Sequence, residues 1–145
     1  MKKTDNILLE FNSIYKENND LYRIAAKSFG IPLSTFWILY FLREGTNINT
    51  QKDICYASCL PKQTINSAIK KMLADELIER CSGNDKRSKE LKLTDKGIKL
   101  AAETVDKIIF AEKKSMSELT CSEQKLFIEL FNKYTNQLRI NFNNL

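Results

Sequence analysis

The sequence predicts a mainly α-helical fold with one small β-hairpin. Glycine and proline are scarce, at 4 and 2 of 145 residues, so few positions are available for the many turns of an all-β fold. Apolar residues recur at steps of three and four in several segments, which is the spacing of amphipathic helices. Around residues 77–93, two short runs instead flank a polar turn, and we expect the hairpin there.

Two helices are predicted in the first third of the chain. The first has apolar residues at helical spacing from Ile7 to about Lys27, and the segment 30–32, Gly-Ile-Pro, ends it. Ser34 is placed to cap the second helix, which runs to about Arg43. Because the second helix is apolar almost all round between residues 36 and 42, we expect it to be central and buried.

A third and a fourth helix follow in close succession. Ile48 is a candidate for a very short strand, and Thr50 then caps a short helix that runs to about Ala57. Pro61 suits the first position of the fourth helix, whose apolar residues between 65 and 73 lie on one side. Two short helices joined by a tight turn are typical of a helix-turn-helix.

The rest of the chain is predicted to form the hairpin and two more helices. The strands are expected at Leu77–Cys81 and Glu90–Leu93. Thr94 caps one long helix that continues to at least Ile109, and the segment 120–123, Thr-Cys-Ser-Glu, is a capping box that opens the last helix. The sequence therefore predicts a winged helix-turn-helix, flanked by N- and C-terminal helices.

The fourth helix carries the residue types that a DNA-reading helix needs. The B-DNA major groove admits one α-helix, and residues 61–71 contain three lysines and no acid. Gln63 and Asn66 can each offer a donor and an acceptor to adenine. Thr64 and Ser67 can bond a base or a phosphate, and the lysines can neutralise phosphates. We expect DNA contacts at Lys62, Gln63, Thr64, Asn66, Ser67, Lys70 and Lys71.

The hairpin supplies a second cationic element. Residues 61–99 hold ten Lys and Arg against six Asp and Glu, so this segment carries +4 of the net charge of +5. Arg87 can enter a minor groove, where negative potential is concentrated, and Asp85 can orient its guanidinium through a charge-assisted hydrogen bond. We expect further DNA contacts at Asp85, Lys86, Arg87 and Lys89.

The hairpin and its flanks resemble the wing of the MarR family of transcriptional regulators. The family pattern is a hydrophobic pair, then Asp-x-Arg, then Leu-Thr-x-x-Gly, and this chain has Leu77-Ile78, Asp85-Lys86-Arg87 and Leu93-Thr94-Asp95-Lys96-Gly97. Glu76 departs from the pattern, because the family commonly has Gly before the hydrophobic pair. We therefore expect a differently shaped turn between the fourth helix and the hairpin.

The resemblance implies one MarR-like domain over residues 1–145. It places the winged helix at about 34–97 and dimerisation helices at about 5–28 and 98–142. It also implies a homodimer that binds a pseudo-palindromic site in double-stranded DNA, and we expect a repressor. The apolar faces of the first and last helices would be costly to leave in water, which supports the same dimer.

The regulatory signal is left open by the sequence. MarR-like proteins often lose DNA when a small aromatic compound binds between the dimerisation helices and the DNA-binding lobe. The resemblance makes five aromatic residues candidates for that cleft, although aromatic residues at helical spacing are also ordinary core: Phe11, Tyr15, Phe36, Trp37 and Tyr40.

Two other functions are open alternatives. In a redox-responsive regulator, Cys121 would be the sensor, because it lies at a helix N-terminus where the helix dipole favours the thiolate. In a winged-helix adaptor, the same fold would make protein or RNA contacts without regulatory DNA binding.

Composition argues against an enzyme, a cofactor and a metal site. The chain has no His, no glycine-rich phosphate loop and no clustered carboxylates, and its four Cys form no Cys-x-x-Cys. The richest apolar stretch, residues 36–42, is too short to span a bilayer, and the N-terminus is too polar for a signal peptide. We expect a cytoplasmic protein with no membrane partner and with free thiols.

Overall fold

A computed structural model describes residues 2–45, 47–82 and 89–145, and it confirms a mainly helical fold with a small hairpin. The helices in these ranges are α1 (Lys2–Ser28), α2 (Leu33–Glu44), α3 (Gln51–Ser58), α4 (Lys62–Ala74), α5 (Asp95–Glu103), α6 (Val105–Ser117) and α7 (Cys121–Asn143). The antiparallel strands are β1 (Ile78–Ser82) and β2 (Lys89–Leu93), with Ile78 opposite Leu93 and Ser82 opposite Lys89. The chain divides into two compact units, residues 1–109 and 110–145.

The core of the first unit is built around α2. Phe36, Ile38 and Leu39 are completely buried, and α2 packs against α1, α3, α4, α5 and β2. Each large apolar side chain buried in this way stabilises the fold by about 1.5–3 kcal/mol. The prediction of a central buried helix is confirmed. Four neighbouring helices, α1, α3, α4 and α5, and strand β2 supply its buried neighbours: Ala26, Ile54, Ile65, Ile69, Met72, Leu91 and Ala101.

Side-chain caps fix the start of three helices, as predicted. The hydroxyl oxygens of Thr50, Thr94 and Thr120 each accept a hydrogen bond from the backbone N–H three residues on. At Thr120 the capping box is complete, because the Glu123 carboxylate accepts a bond from the Thr120 N–H at 2.8 Å. The Thr120 hydroxyl also donates to this carboxylate, at 2.9 Å, and the two bonds that the carboxylate accepts, first that from the backbone N–H, lower the pKa of Glu123.

Two predicted helix starts are wrong by one or two residues. The residue before the first turn of α2 is Pro32, so Ser34 lies inside that turn and is not its cap. The Pro32 carbonyl accepts the N–H of Phe36 at 2.9 Å, which closes the first turn without a side-chain cap. Pro61 is likewise the N-cap residue of α4 and not its first helical residue, because its ψ of 137° is extended.

The predicted strand at Ile48 is also displaced. The extended pairing occurs at Thr50, which forms an isolated antiparallel bridge with Glu90 of β2. Next to it, the Leu91 N–H donates to the Asn49 carbonyl at 2.7 Å. Because Leu91 is buried in the core, this pairing attaches the base of the hairpin to the segment that leads into α3.

The single long helix predicted after Thr94 is wrong. The chain breaks at Thr104, which has φ −126° and ψ −89°, and the break separates α5 from α6. The Thr104 hydroxyl donates to the Leu100 carbonyl at 2.7 Å, a local bond that competes with regular helix. Just beyond the break, the Asp106 carboxylate accepts two bonds of 2.8 Å from Arg43, which links the start of α6 to α2.

The turn between α4 and β1 takes the left-handed backbone conformation that glycine favours. Glu76 has φ 58°, so the absence of the family's usual Gly does not prevent this turn. Two bonds close the turn against the start of α5: the Thr94 hydroxyl donates to the Glu76 carbonyl at 2.5 Å, and the Thr94 N–H donates to the Leu77 carbonyl at 3.1 Å.

Within the described ranges, no single helix is long and apolar enough to cross a bilayer. Among the helices of the described ranges, α1 and α2 taken together are the one pair that reaches that length and composition, and they are bent by 100° at the break between them. Nor do the described residues include a group of three or more Cys, Asp or Glu side chains placed to hold a metal ion.

Gly97 generates a direct test of the packing between α5 and the hairpin. A Cβ atom at this position would lie 2.0 Å from the Leu77 backbone oxygen, so one of the two backbones must shift. We expect Gly97→Ala to lower the free energy of unfolding by about 1–3 kcal/mol, as measured by urea denaturation. Lys99→Ala, an exposed site on the same helix, is the control and should change it by less than about 0.5 kcal/mol. Equal stabilities for the two variants would contradict this packing.

Candidate nucleic-acid interface

The side of α4 that faces away from the core is polar and cationic. Ile65, Ala68, Ile69 and Met72 are buried and form the inner side of the helix. At 100° per residue, positions 63, 67 and 70 lie opposite this inner side. Gln63, Ser67 and Lys70 are all exposed, so an outer line of two hydrogen-bonding side chains and one cation runs along α4. Thr64 is exposed beside this line.

The position of α4 is set by α3 and by the turn between them. α2, α3 and α4 pack on one another, with Ile54 of α3 and Ile65 of α4 completely buried. Cys59 ends α3 in the left-handed conformation, at φ 53°, and Pro61 precedes α4. The predicted helix–tight turn–helix arrangement is confirmed, and it leaves the outer line of α4 exposed.

The electrostatics of α4 favour a polyanion. Lys62, Lys70 and Lys71 are exposed, and the sequence of α4 contains no acid. The Lys71 ammonium lies 3.8 Å from the Asp75 carboxylate, just after the helix, so part of its charge is compensated locally. The first turn of α4 has no side-chain cap, and helix N-termini of this kind bind phosphate through backbone N–H groups.

Asn66 is placed differently from the other predicted contacts on α4. It is half-buried and lies on the flank of the helix that meets α3. There its Oδ1 accepts a hydrogen bond from Nε2 of Gln51, the first residue of α3. The two residues are fifteen positions apart in sequence, so no local pattern identifies Gln51 as part of this interface, and Gln51 is not among the residues predicted from sequence.

The hairpin base lies beside the helix-turn-helix, held by the pairing of β2 with residues 49–50. Lys89, the first residue of β2, is exposed and pairs with Ser82 across the hairpin. The other predicted wing contacts, Asp85, Lys86 and Arg87, lie outside the described residues. Their proposed DNA contacts therefore remain predictions from sequence.

The predicted effector residues fall into two groups. Phe36, Trp37 and Tyr40 form one aromatic cluster with Tyr22 and Phe41, with ring centroids 5.2–6.4 Å apart. Within this cluster Phe36 and Tyr40 are buried and Trp37 is half-buried.

The second group is the pair Phe11 and Tyr15, which stack on each other at 6.0 Å. Tyr15 precedes Tyr22 by seven residues of α1, or about 10 Å along the helix. An open surface groove of about 350 Å³ is lined by residues outside both groups, on α5 and on the turn from α4 to β1: Asp75, Leu77, Lys96, Lys99, Leu100 and Glu103.

The four cysteines carry free thiols. Cys121 is exposed and is the first residue of α7, as predicted. The Glu123 carboxylate occupies the same helix end through its bonds to Thr120. The role of Cys121 as a redox sensor stays a prediction.

Comparisons with known proteins agree with this geometry. Residues 29–88, which include α2, α3, α4 and β1, match a family model described as the MarR family. Among curated proteins, no match was found.

Solved structures share the fold over nearly the whole chain. One is NMB1585, a MarR family regulator from Neisseria meningitidis, with 25% identity, coverage of 94% of this chain and 99% of that one, and a TM-score of 0.67. A second is a Staphylococcus aureus MepR–DNA complex, with 22% identity, coverage of 88% and 93%, and a TM-score of 0.66. A third is Staphylococcus aureus MarR in complex with salicylate and kanamycin, with 20% identity, coverage of 93% and 91%, and a TM-score of 0.65.

Proposed function

We propose that this chain is a sequence-specific repressor that acts as a cytoplasmic homodimer. Its residues 29–88 match the MarR family, a family of DNA-binding transcriptional regulators and not of enzymes. The observation that carries the proposal is the outer side of α4, where exposed amide, hydroxyl and ammonium groups lie together without an acid. A solved relative of the same fold is a DNA complex.

In the proposed complex α4 lies in the major groove of double-stranded DNA. Gln63 and Ser67, on its outer line, meet base edges, and Thr64 meets a base or a phosphate. Lys62, Lys70 and Lys71 neutralise phosphates, and Lys89 does so from the hairpin. From the sequence, Arg87 enters the adjacent minor groove, oriented by Asp85, and Lys86 contacts the backbone.

The dimer is proposed from the apolar surface of the terminal helices. On α7, Phe127 and Phe131 are 53% and 42% exposed and stack on each other at 6.3 Å. On α1, Ile7 and Ile14 are each 59% exposed. Exposed apolar surface of this kind marks interfaces. In a two-fold symmetric dimer, each subunit covers the apolar surface of the other. The two α4 helices then read a pseudo-palindrome whose half-sites are about 34 Å apart.

A small aromatic effector is proposed to release the DNA. The aromatic cluster around Trp37 supports it, because the indole is half-buried among Tyr22, Phe36, Tyr40 and Phe41. A similar structure holds salicylate. Trp37 is the sole tryptophan, so salicylate should change its fluorescence and weaken DNA binding over the same concentration range. Weakened binding with unchanged fluorescence would contradict a site at this cluster.

The salt dependence of binding tests the DNA interface. With about 6–10 phosphate contacts, affinity for duplex DNA should fall by about 10³–10⁵ between 50 and 200 mM salt. Lys70→Ala should lower the slope of log affinity against log salt by about 1, to a similar extent on every duplex sequence. Fluorescence anisotropy with a labelled duplex measures both.

Lys113→Ala on α6 is the control, since it removes another exposed lysine outside the candidate interface, and its slope should equal that of the wild type. Light scattering before the titration checks the dimer, whose mass should be twice the 16.8 kDa of the chain. If the folded wild-type protein did not bind duplex DNA at low salt, the proposal would be contradicted, and the alternative function of a winged-helix adaptor for protein or RNA would be favoured.

A further inference from the structure

We propose that Gln51 and Asn66 recognise one base pair as a unit, in which Gln51 holds the Asn66 amide so that its Nδ2 hydrogens face the DNA. The inference rests on the proposed function, because it needs α4 to lie in the major groove. It adds a specificity determinant on α3, outside the helix that makes the contact. Gln51 is a positioning residue in this unit, and Asn66 is the side chain that touches the base.

Asn66 borders the outer line of α4. It follows Gln63 by three residues and precedes Lys70 by four, the two spacings that make neighbours on a helix surface. On its other side it meets α3, where its Oδ1 accepts the bond from Gln51 Nε2. Both residues are half-buried, so the pair is partly shielded from water, and we infer that the other edge of the Asn66 amide faces the outer line.

Gln51 is itself held in place by its neighbours. It is the first residue of α3 and directly follows Thr50, the N-cap residue. The Thr50 hydroxyl accepts the Asp53 N–H at 3.2 Å and donates to the Asp53 carboxylate at 2.6 Å. Thr50 also pairs with Glu90 of β2. The backbone next to Gln51 is therefore fixed both to α3 and to the hairpin, and this holds the Cα atom of Gln51 in place.

The hydrogen bond between the Gln51 and Asn66 amides determines which amide group of Asn66 faces the DNA. A free asparagine amide offers one acceptor oxygen and two N–H donors, and both functions are needed for a bidentate contact with adenine. Here Oδ1 is directed to Gln51, so the outward edge is Nδ2 with its donors. In the major groove guanine presents two acceptors, O6 and N7, and thymine presents O4, whereas adenine presents its one acceptor, N7, beside the N6 donor. Asn66 should thus favour guanine or thymine over the adenine contact predicted from sequence alone.

Selection of sites from random duplex DNA, followed by measured affinities, tests this unit. The wild type is used first to select a site, and each base pair of that site is then varied singly. Asn66→Ala should remove discrimination at one base pair, a loss of about 5- to 150-fold in relative affinity. Gln51→Ala should weaken discrimination at the same base pair, and the double variant should lose no more than Asn66→Ala.

Two further variants separate positioning from folding and from charge. In Gln51→Glu the side chain keeps its size but can only accept, so the Asn66 amide must turn its Nδ2 to α3 and its oxygen to the DNA. The preferred base on the contacted strand should then change to adenine or cytosine, which present N–H donors in the major groove. Lys52→Ala, an exposed neighbour, should leave base preference unchanged.

The outcomes distinguish this inference from the proposed function. If the wild type selects a site and Gln51→Ala keeps full discrimination while Asn66→Ala loses it, the positioning role of Gln51 is wrong and the proposed function stands. If Gln51→Ala and Asn66→Ala instead lose affinity equally on all duplexes, the base-recognition role of the pair is wrong and the proposed function again stands. If the wild type selects no site at all, the proposed function is wrong and the inference falls with it.

Discussion

The burial of α2 is the constraint on which the rest of the structure depends. Its fully buried residues Phe36, Ile38 and Leu39 form the centre of the first unit, and four helices and β2 pack around them. α4 can present a polar side only because the buried residues of its inner side are held against this helix: Ile65, Ala68, Ile69 and Met72. The stability of this core therefore comes from apolar contacts, while the proposed DNA specificity comes from the polar side of α4 that those contacts leave exposed.

Backbone contacts then fix the hairpin relative to the helix-turn-helix. The Asn49 carbonyl accepts the Leu91 N–H, and Thr94 bonds to the carbonyls of Glu76 and Leu77. Gly97 allows α5 to approach the Leu77 carbonyl, where any Cβ would clash. Because two of these three bonds join backbone groups alone, the described part of the hairpin keeps its place largely independently of which side chains the outer line of α4 carries.

Features set by local sequence were predicted well. The caps at Thr50, Thr94 and Thr120 and the amphipathic side of α4 depend on residues within a few positions of each other, and the structure confirms them. The break at Thr104 was missed because threonine also occurs within continuous helices, and the sequence does not show the backbone angles of −126° and −89° that interrupt this one. At the start of α2, Ser34 is of a residue type that often caps helices, yet Pro32 is the N-cap residue and the helix begins at Leu33.

In the candidate site, too, features set by local sequence were predictable and features set by contacts between helices were not. The exposure of Gln63, Ser67 and Lys70 follows from helical spacing and was predictable from sequence. The bond between Gln51 and Asn66 joins residues fifteen positions apart on two helices, and it depends on how α3 packs on α4. The dimer, the effector and the contacts of the wing tip rest on the apolar faces, the aromatic cluster and the sequence, and they remain proposals.

Amide chemical shifts measured by nuclear magnetic resonance during titration with duplex DNA test the central claim most directly. Contact through the polar side of α4 predicts the largest changes between residues 62 and 71, with residues 121–143 of α7 nearly unaffected. Large changes confined to α7, with α4 unperturbed at saturating DNA, would contradict the account.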